Sequence, residues 1–244
     1  KIGCHQALAT VGTLIQSHGL RYALEVDIRD FFGSLNHEWL RKFLSLRIGD
    51  ERVLKLIDSW LEAGVVEGDQ WHVAEEGTPQ GGSISPLLAN IYLHYVLDLW
   101  WEKKIRRCLK GRASLVRYAD DFVILFEREG EAEEVLNLIK ARFDQFGLKV
   151  AEEKTHVTDL TPRKNRGGGR RHMAFLGMKI FLARNRKKTG WKIVYQTEGK
   201  RFSRAKERIK EKMWKMMHRD LGSQADAINS FLCGHFNYYG LPGN

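Results

Sequence analysis

Val116-Arg117-Tyr118-Ala119-Asp120-Asp121-Phe122-Val123-Ile124-Leu125-Phe126 sets two adjacent carboxylates inside an apolar run. The flanking residues are largely β-branched or aromatic, a composition that suits strands. Two like charges side by side in a buried sheet are costly unless a cation compensates them or one takes up a proton. A divalent metal compensates both at once, and carboxylate oxygens suit Mg²⁺. Residues 113–127 therefore predict a strand-turn-strand hairpin presenting carboxylates to a metal. An isolated Asp-Asp pair is more often an ordinary hairpin turn, so the rest of the chain must decide.

Outward from the hairpin, residues 21–28 alternate and read as a strand ending at Asp27. Asp27 can meet Asp120 only if their strands are neighbours, as they are in a split β-α-β sheet. Two carboxylates from separate strands holding two Mg²⁺ ions would form an in-line phosphoryl-transfer site. Helices are predicted over 4–18, 37–47, 50–63, 87–101 and 131–146, with a hairpin over 65–74 and a short strand over 148–150. The 131–146 helix places Ala132, Val135, Leu136, Ile139, Phe143 and Phe146 on one face. Ser85-Pro86 offers an N-cap and a proline at the first helical position. Residues 77–82 are a turn-rich loop, and 163–172 form a basic, Gly-rich loop without the Gly-Lys-Ser/Thr ending of a nucleotide P-loop. Strands over 175–182 and 191–195, then helices over 199–218 and 223–238, complete the reading. The order predicts an α+β fold, an antiparallel sheet backed by helices, with a boundary near 197–199 before a small helical module.

Composition narrows the partners. The 244 residues are 43% hydrophobic, enough to bury a core. No apolar stretch approaches the roughly 20 residues of a membrane span, and residues 1–20 lack the core of a signal peptide. Cys4, Cys108 and Cys233 are too scattered for a disulfide framework or a zinc pattern, so a reducing, cytoplasmic setting is expected. Net charge is +10, unevenly spread: residues 163–219 hold 20 Lys+Arg and 3 Asp+Glu, a local +17 against −7 elsewhere. That asymmetry favours a polyanionic partner, nucleic acid before anionic membrane, over a merely solvated helix face.

Four segments in order resemble the palm domain of reverse transcriptases: Val26-Asp27-Ile28-Arg29-Asp30-Phe31-Phe32; Gly77-Thr78-Pro79-Gln80-Gly81-Gly82-Ser83-Ile84-Ser85-Pro86-Leu87-Leu88-Ala89-Asn90; Tyr118-Ala119-Asp120-Asp121; and Phe146-Gly147-Leu148 with Glu153-Lys154-Thr155. The second is similar to bacterial group II intron reverse transcriptase/maturases in particular. Cys4-His5-Gln6-Ala7-Leu8 resembles the last fingers element, and Gly234-His235-Phe236-Asn237-Tyr238-Tyr239-Gly240 the thumb, or maturase X, region. The resemblance implies a fingers remnant over 1–20, a palm over 21–197 and a partial helical thumb over 198–244. It further implies an RNA-directed DNA polymerase of a bacterial cell. Such an enzyme uses two Mg²⁺ ions, with Mn²⁺ as a substitute, to add deoxynucleotides to a DNA primer on an RNA template, which in this lineage includes intron RNA.

By the same resemblance, Asp27, Asp120 and Asp121 are the catalytic carboxylates. Asp27 and Asp120 ligate metal together with the Ile28 carbonyl, and Asp121 supports the site. Phe32 is the ribose gate, Gln80 and Gly81 touch the incoming nucleotide, and Lys154 lies near the pyrophosphate. Tyr118 shapes the primer side, Phe175-Leu176-Gly177 resembles the primer grip, and Arg201, Arg204 and Arg208 contact duplex phosphates. Read without the resemblance, Phe32 is core packing, Lys154 a solvated lysine and Gly177 a strand glycine. Gly33 and Asn36 depart from residues common in relatives, though neither position is a metal ligand there. Most of the fingers and the later thumb helices are expected to be missing, as in an excised piece or a degenerate copy. Two other readings stay open. One is a non-catalytic RNA-binding maturase or scaffold; the other is a reverse transcriptase recruited to phage defence or CRISPR spacer acquisition.

Overall fold

The strands that carry the carboxylates form where alternation places them. The computed structural model describes residues 3–62, 65–67, 70–72, 84–162 and 171–244. In chain order the elements begin α1 (Cys4–Gln16), β1 (Tyr22–Val26), β2 (Ile28–Arg29), α2 (His37–Ser45), α3 (Glu51–Glu62), β3 (Val65–Glu67), β4 (Gln70–His72) and α4 (Ser85–Leu93). The last of these runs on through two π-helical stretches, His94–Asp98 and Trp101–Ile105, to α5 (Arg106–Cys108). There follow β5 (Ala113–Tyr118), β6 (Asp121–Phe126), α6 (Glu131–Gln145), β7 (Lys149–Val150), β8 (His156–Asp159), β9 (Met173–Phe175), β10 (Met178–Arg184), β11 (Trp191–Thr197), α7 (Gly199–Lys215) and α8 (Leu221–Tyr239). The fold is α+β with antiparallel sheets, as expected. The chain forms two compact units, Leu20–Val157 and Lys1–Gly19 with Thr158–Asn244.

Within Leu20–Val157 the expected hairpin is β5–β6, in register from Ala113↔Phe126 to Tyr118↔Asp121. Strand β6 also pairs antiparallel with β1, from Tyr22↔Phe126 to Val26↔Phe122. The sheet order is β5-β6-β1-β8, and β8 carries the chain on into the other unit. The two-residue period sends Leu24, Val26, Phe122, Ile124 and Phe126 into one core with Leu40, Phe43, Tyr92, Val96, Val135, Ile139 and Phe143 of the helices. The predicted face of α6 is the buried one, with Ala132, Val135, Ile139 and Phe143 inside.

Two local readings change. Ser85 is not an N-cap: it lies inside α4, fully buried, with Ile84 at the cap and no side-chain cap bond. The proline still serves the first turn, where its missing N–H costs nothing. The predicted first strand ends at Val26, so Asp27 falls in a break before β2. Neighbouring side chains answer the π-helical carbonyls: the Arg142 guanidinium donates to the carbonyls of Val96 at 3.1 Å and Tyr95 at 3.4 Å. It also stacks 4.3 Å from the Phe146 ring, and burial lowers its pKa. Asn36 has a role of its own, capping α2 through a 3.0 Å bond from the Trp39 N–H to Oδ1.

At its open end the hairpin is closed by Arg112 and Glu127. Arg112 donates through its backbone N–H, Nε and Nη2 at 3.0–3.1 Å, holding the Glu127 carboxyl down to about 2. A depressed folded-state pKa contributes stability above the unfolded value, near 4.5, and loses it as pH falls toward 2. Carboxyl-resolved NMR titration is expected to give a Glu127 midpoint near 2, rising in Arg112→Ala but staying below an ordinary carboxylate value, because the backbone N–H of residue 112 still donates to it. An ordinary midpoint in the unaltered protein would break this pair.

In the other unit, β9, β10 and β11 form a three-stranded antiparallel sheet in the order β11-β10-β9. Helix α1 meets β11 where Gly12 leaves room for the Tyr195 ring, and the Tyr195 hydroxyl donates to the Leu8 carbonyl at 3.1 Å. Burial raises the Tyr195 pKa. Helices α7 and α8 bury no residue fully and expose Phe202, Trp214, Leu221 and Phe236, and Met217 between them is exposed as well. Among the described residues no helix is long and apolar enough to cross a membrane.

Candidate catalytic site

Asp120 occupies the two-residue turn of the β5–β6 hairpin, behind Ala119, whose φ is +57°. Residues with a Cβ enter that region at a cost, and such strain gathers at functional turns. Asp120 is exposed, while Asp121 opens β6 and is half-buried. The β1–β6 register, extended one step past Val26↔Phe122, sets Asp27 level with Asp121. Alternation places both on the sheet face opposite the helical core. The register thus sets Asp27 and Asp121 level at the end of the sheet that carries the Asp120 turn.

Backbone pairing leaves a main-chain oxygen outside the β2–β7 ladder. The Ala151 N–H donates to the Asp27 carbonyl at 2.9 Å, and Ile28 pairs with Val150 in the β2–β7 ladder. Because antiparallel partners alternate, the Ile28 carbonyl turns away from β7. The Ile28 side chain is buried, so only its main chain can serve a ligand.

The Glu152-Glu153-Lys154 turn, held by bonds from the Lys154 and Thr155 N–H groups to the Ala151 carbonyl at 3.1 and 3.0 Å, docks against Asp27. Lys154 Nζ lies 3.5 Å from Asp27 Oδ1, with both side chains substantially exposed. The Asp27 N–H reaches Thr155 Oγ1 at 3.5 Å, and Arg29 lies 3.6 Å from Glu153. Lys154 thus forms a solvent-exposed ion pair with Asp27. Phe32 follows the turn after β2, half-buried, packed on the core and tilted 57° against Phe31 with ring centroids 5.4 Å apart. Tyr118 closes β5 and is exposed. Gln80 and Gly81 lie outside the described residues, as does the rest of 77–83.

The donor set fits Mg²⁺. Among the described residues no group of three or more His, Cys, Asp or Glu side chains forms a metal cage. Mg²⁺ requires none, since one or two carboxylates suffice when substrate phosphates and waters complete its octahedron. Asp27 and Asp120, with the Ile28 carbonyl, make an all-oxygen set of that kind, and Lys154 beside Asp27 supplies the positive charge it faces here.

The remaining predicted residues belong to the other unit. Gly177 sits in the β9–β10 turn with φ +74°, after Leu176 at +51°. A Cβ on Gly177 would come within 2.6 Å of Arg201 Nε, a flexible side chain that can move aside, so it is the backbone conformation that favours glycine. Arg201 also binds Glu198 at 3.2 Å, and the Tyr238 hydroxyl donates to the Leu176 carbonyl at 3.0 Å. Arg201, Arg204 and Arg208 line a cavity of about 420 Å³ opposite Phe231, His235 and Tyr239 of α8.

Arg117, Asn90, Asp98 and Thr155 have positions at this site that went unassigned from sequence. For Arg117 the signal was present. Alternation puts it on the same face of β5 as Leu115 and Ala113, and a charge on a core face demands a partner.

Residues 3–180 match the family described as reverse transcriptase (RNA-dependent DNA polymerase), and the chain belongs to that family. The group II intron-encoded protein LtrA of Lactococcus lactis subsp. cremoris is 44% identical over 100 residues, covering 39% of this chain and 16% of LtrA. Protein YkfC of Escherichia coli is 30% identical over 218 residues, covering 75% of this chain and 53% of YkfC. Apo telomerase from Candida tropicalis superimposes with a TM-score of 0.61 at 15% identity, over 94% of this chain and 39% of that one, a likeness of fold. The chain thus spans 16% and 53% of the lengths of the two sequence relatives.

Proposed function

We propose that this chain carries the palm of an RNA-directed DNA polymerase, over residues 21–197, with a fingers element before it and thumb helices over 198–244. The observation that carries the proposal is the register that brings Asp27 level with Asp121 at the sheet end carrying the Asp120 turn, with Lys154 beside Asp27. The reaction joins the primer 3′ oxygen to the α-phosphorus of a deoxynucleoside triphosphate. The α–β bridging P–O bond breaks, pyrophosphate leaves, and the 3′ hydroxyl proton passes to solvent.

Asp27 and Asp120 would hold two Mg²⁺ ions, with the Ile28 carbonyl as a further ligand. Bound there, the ions supply neutralisation of charge on the attacking and leaving oxygens. Asp121 orients the turn from the first position of β6. Lys154 faces the leaving pyrophosphate and is placed to donate a proton to it. Phe32, at the surface of the core, meets the sugar and rejects a 2′-hydroxyl by bulk. Arg201, Arg204 and Arg208 bind phosphates of the template–primer without reading sequence. Kinship with group II intron-encoded proteins supports intron RNA as the template and a role in intron mobility. The +17 segment also favours RNA binding in its own right, as a maturase would require.

The sugar gate gives a direct test. Phe32→Ala is expected to raise the ratio of ribonucleotide to deoxynucleotide kcat/KM by about 10–100-fold, the scale of steric discrimination in a pocket. Single-nucleotide extension with each triphosphate measures it. Unchanged discrimination in an active variant would leave Phe32 with packing alone.

A further inference from the structure

Arg117 lies on the core face of β5 with its side chain only 13% exposed. Its Nε and Nη2 donate to the two carboxylate oxygens of Asp98 at 2.8 and 2.5 Å. Nη1 donates to Asn90 Oδ1 at 2.9 Å and to the Ala119 carbonyl at 2.7 Å. Asp98 ends the first π-helical stretch, where His94 Nδ1 also lies 3.6 Å from it. Asn90 is anchored in turn, its Nδ2 donating to the Pro86 carbonyl at 2.7 Å. One guanidinium thus joins the helix that follows the 77–83 segment to the turn that carries Asp120. Tying β5 to the helix needs Asp98 alone. The bond to Ala119 does something else: it fixes the carbonyl of a residue at φ +57°, immediately before Asp120.

We propose that Arg117 is a positioning residue for the metal site, clamping the strained Ala119 turn so that it presents the Asp120 carboxylate. The inference rests on Asp120 being a metal ligand. Lysine cannot replace the clamp, because a point charge does not reproduce the planar fork that serves Asp98, Asn90 and Ala119 together. It does keep a cation beside Asp98, so Arg117→Lys avoids leaving a half-buried carboxylate without its cation.

The test compares the unaltered protein, Arg117→Lys and the exposed control Arg107→Lys. Mn²⁺ binding is read by electron paramagnetic resonance, nucleotide incorporation by primer extension, and folded fraction by thermal melting. Arg117→Lys is expected to bind Mn²⁺ about 10–100-fold more weakly, as losing the support of a ligand does. Its kcat per folded molecule should fall on the order of 10²-fold, the scale of an ångström-sized misplacement, with little change in deoxynucleotide KM. Unchanged Mn²⁺ affinity and kcat per folded molecule would overturn the proposal, whatever the loss of melting temperature. Absence of Mn²⁺ binding in the unaltered protein would instead overturn the metal reading of Asp120, and this inference with it.

Discussion

Asp120→Ala is expected to lower nucleotide incorporation on the order of 10³-fold or more while leaving template–primer affinity unchanged. A metal ligand contributes several kcal/mol to the transition state, and each 1.36 kcal/mol is a factor of ten in rate. The fold should survive, because Asp120 is exposed in a turn and has no hydrogen-bond partner among the described residues. Surface substitutions of that kind change stability by about 0.5 kcal/mol or less. Primer extension beside a salt-dependent binding isotherm separates the two effects. Asp121→Ala should cost less, since Asp121 is proposed to support the site rather than to bridge the ions. Equal activity of Asp120→Ala and the unaltered protein would remove the carboxylate from the reaction.

Phe122→Ala should have the largest effect on stability, about 3–5 kcal/mol, as for other buried aromatic truncations. Phe122 is completely buried, pairs in register with both Val26 and Arg117, and meets Phe143 edge-on with centroids 6.2 Å apart. The cavity would open directly behind Asp121, so activity should fall with the folded fraction and also within it. Denaturant melts followed by circular dichroism give the first quantity, and activity per folded molecule the second. A loss below about 1 kcal/mol would mean that the site collapses around the truncation and that the core does not hold the hairpin rigidly.

The hairpin, the first strand and the buried face of α6 were legible because a period of two or of 3.6 is a property of contiguous residues. Asp27 was legible as a strand terminus, though not the break that sets it between β1 and β2. The π-helical stretches were not, since nothing local in His94–Asp98 calls for a wide turn. Their carbonyls are answered by Arg142, 46 residues on from Val96. Ser85 was misassigned because its burial, a tertiary fact, overrode a valid local capping pattern. The return of α1 to β11 links Leu8 with Tyr195, 187 residues apart, and no periodicity reaches that far. For the proposed site, residue types pointed to the carboxylates, whereas the Arg117 contacts required knowing which side of β5 faces the helices.

The central claim is that Asp27 and Asp120 form a metal site for templated DNA synthesis. It is met most directly by single-nucleotide extension of a DNA primer on an RNA template by the unaltered chain. Addition of only the complementary deoxynucleotide is expected, dependent on Mg²⁺ and stopped by chelation. Tight, salt-sensitive RNA binding with no incorporation at any Mg²⁺ or Mn²⁺ concentration would contradict it and favour an RNA-binding scaffold instead.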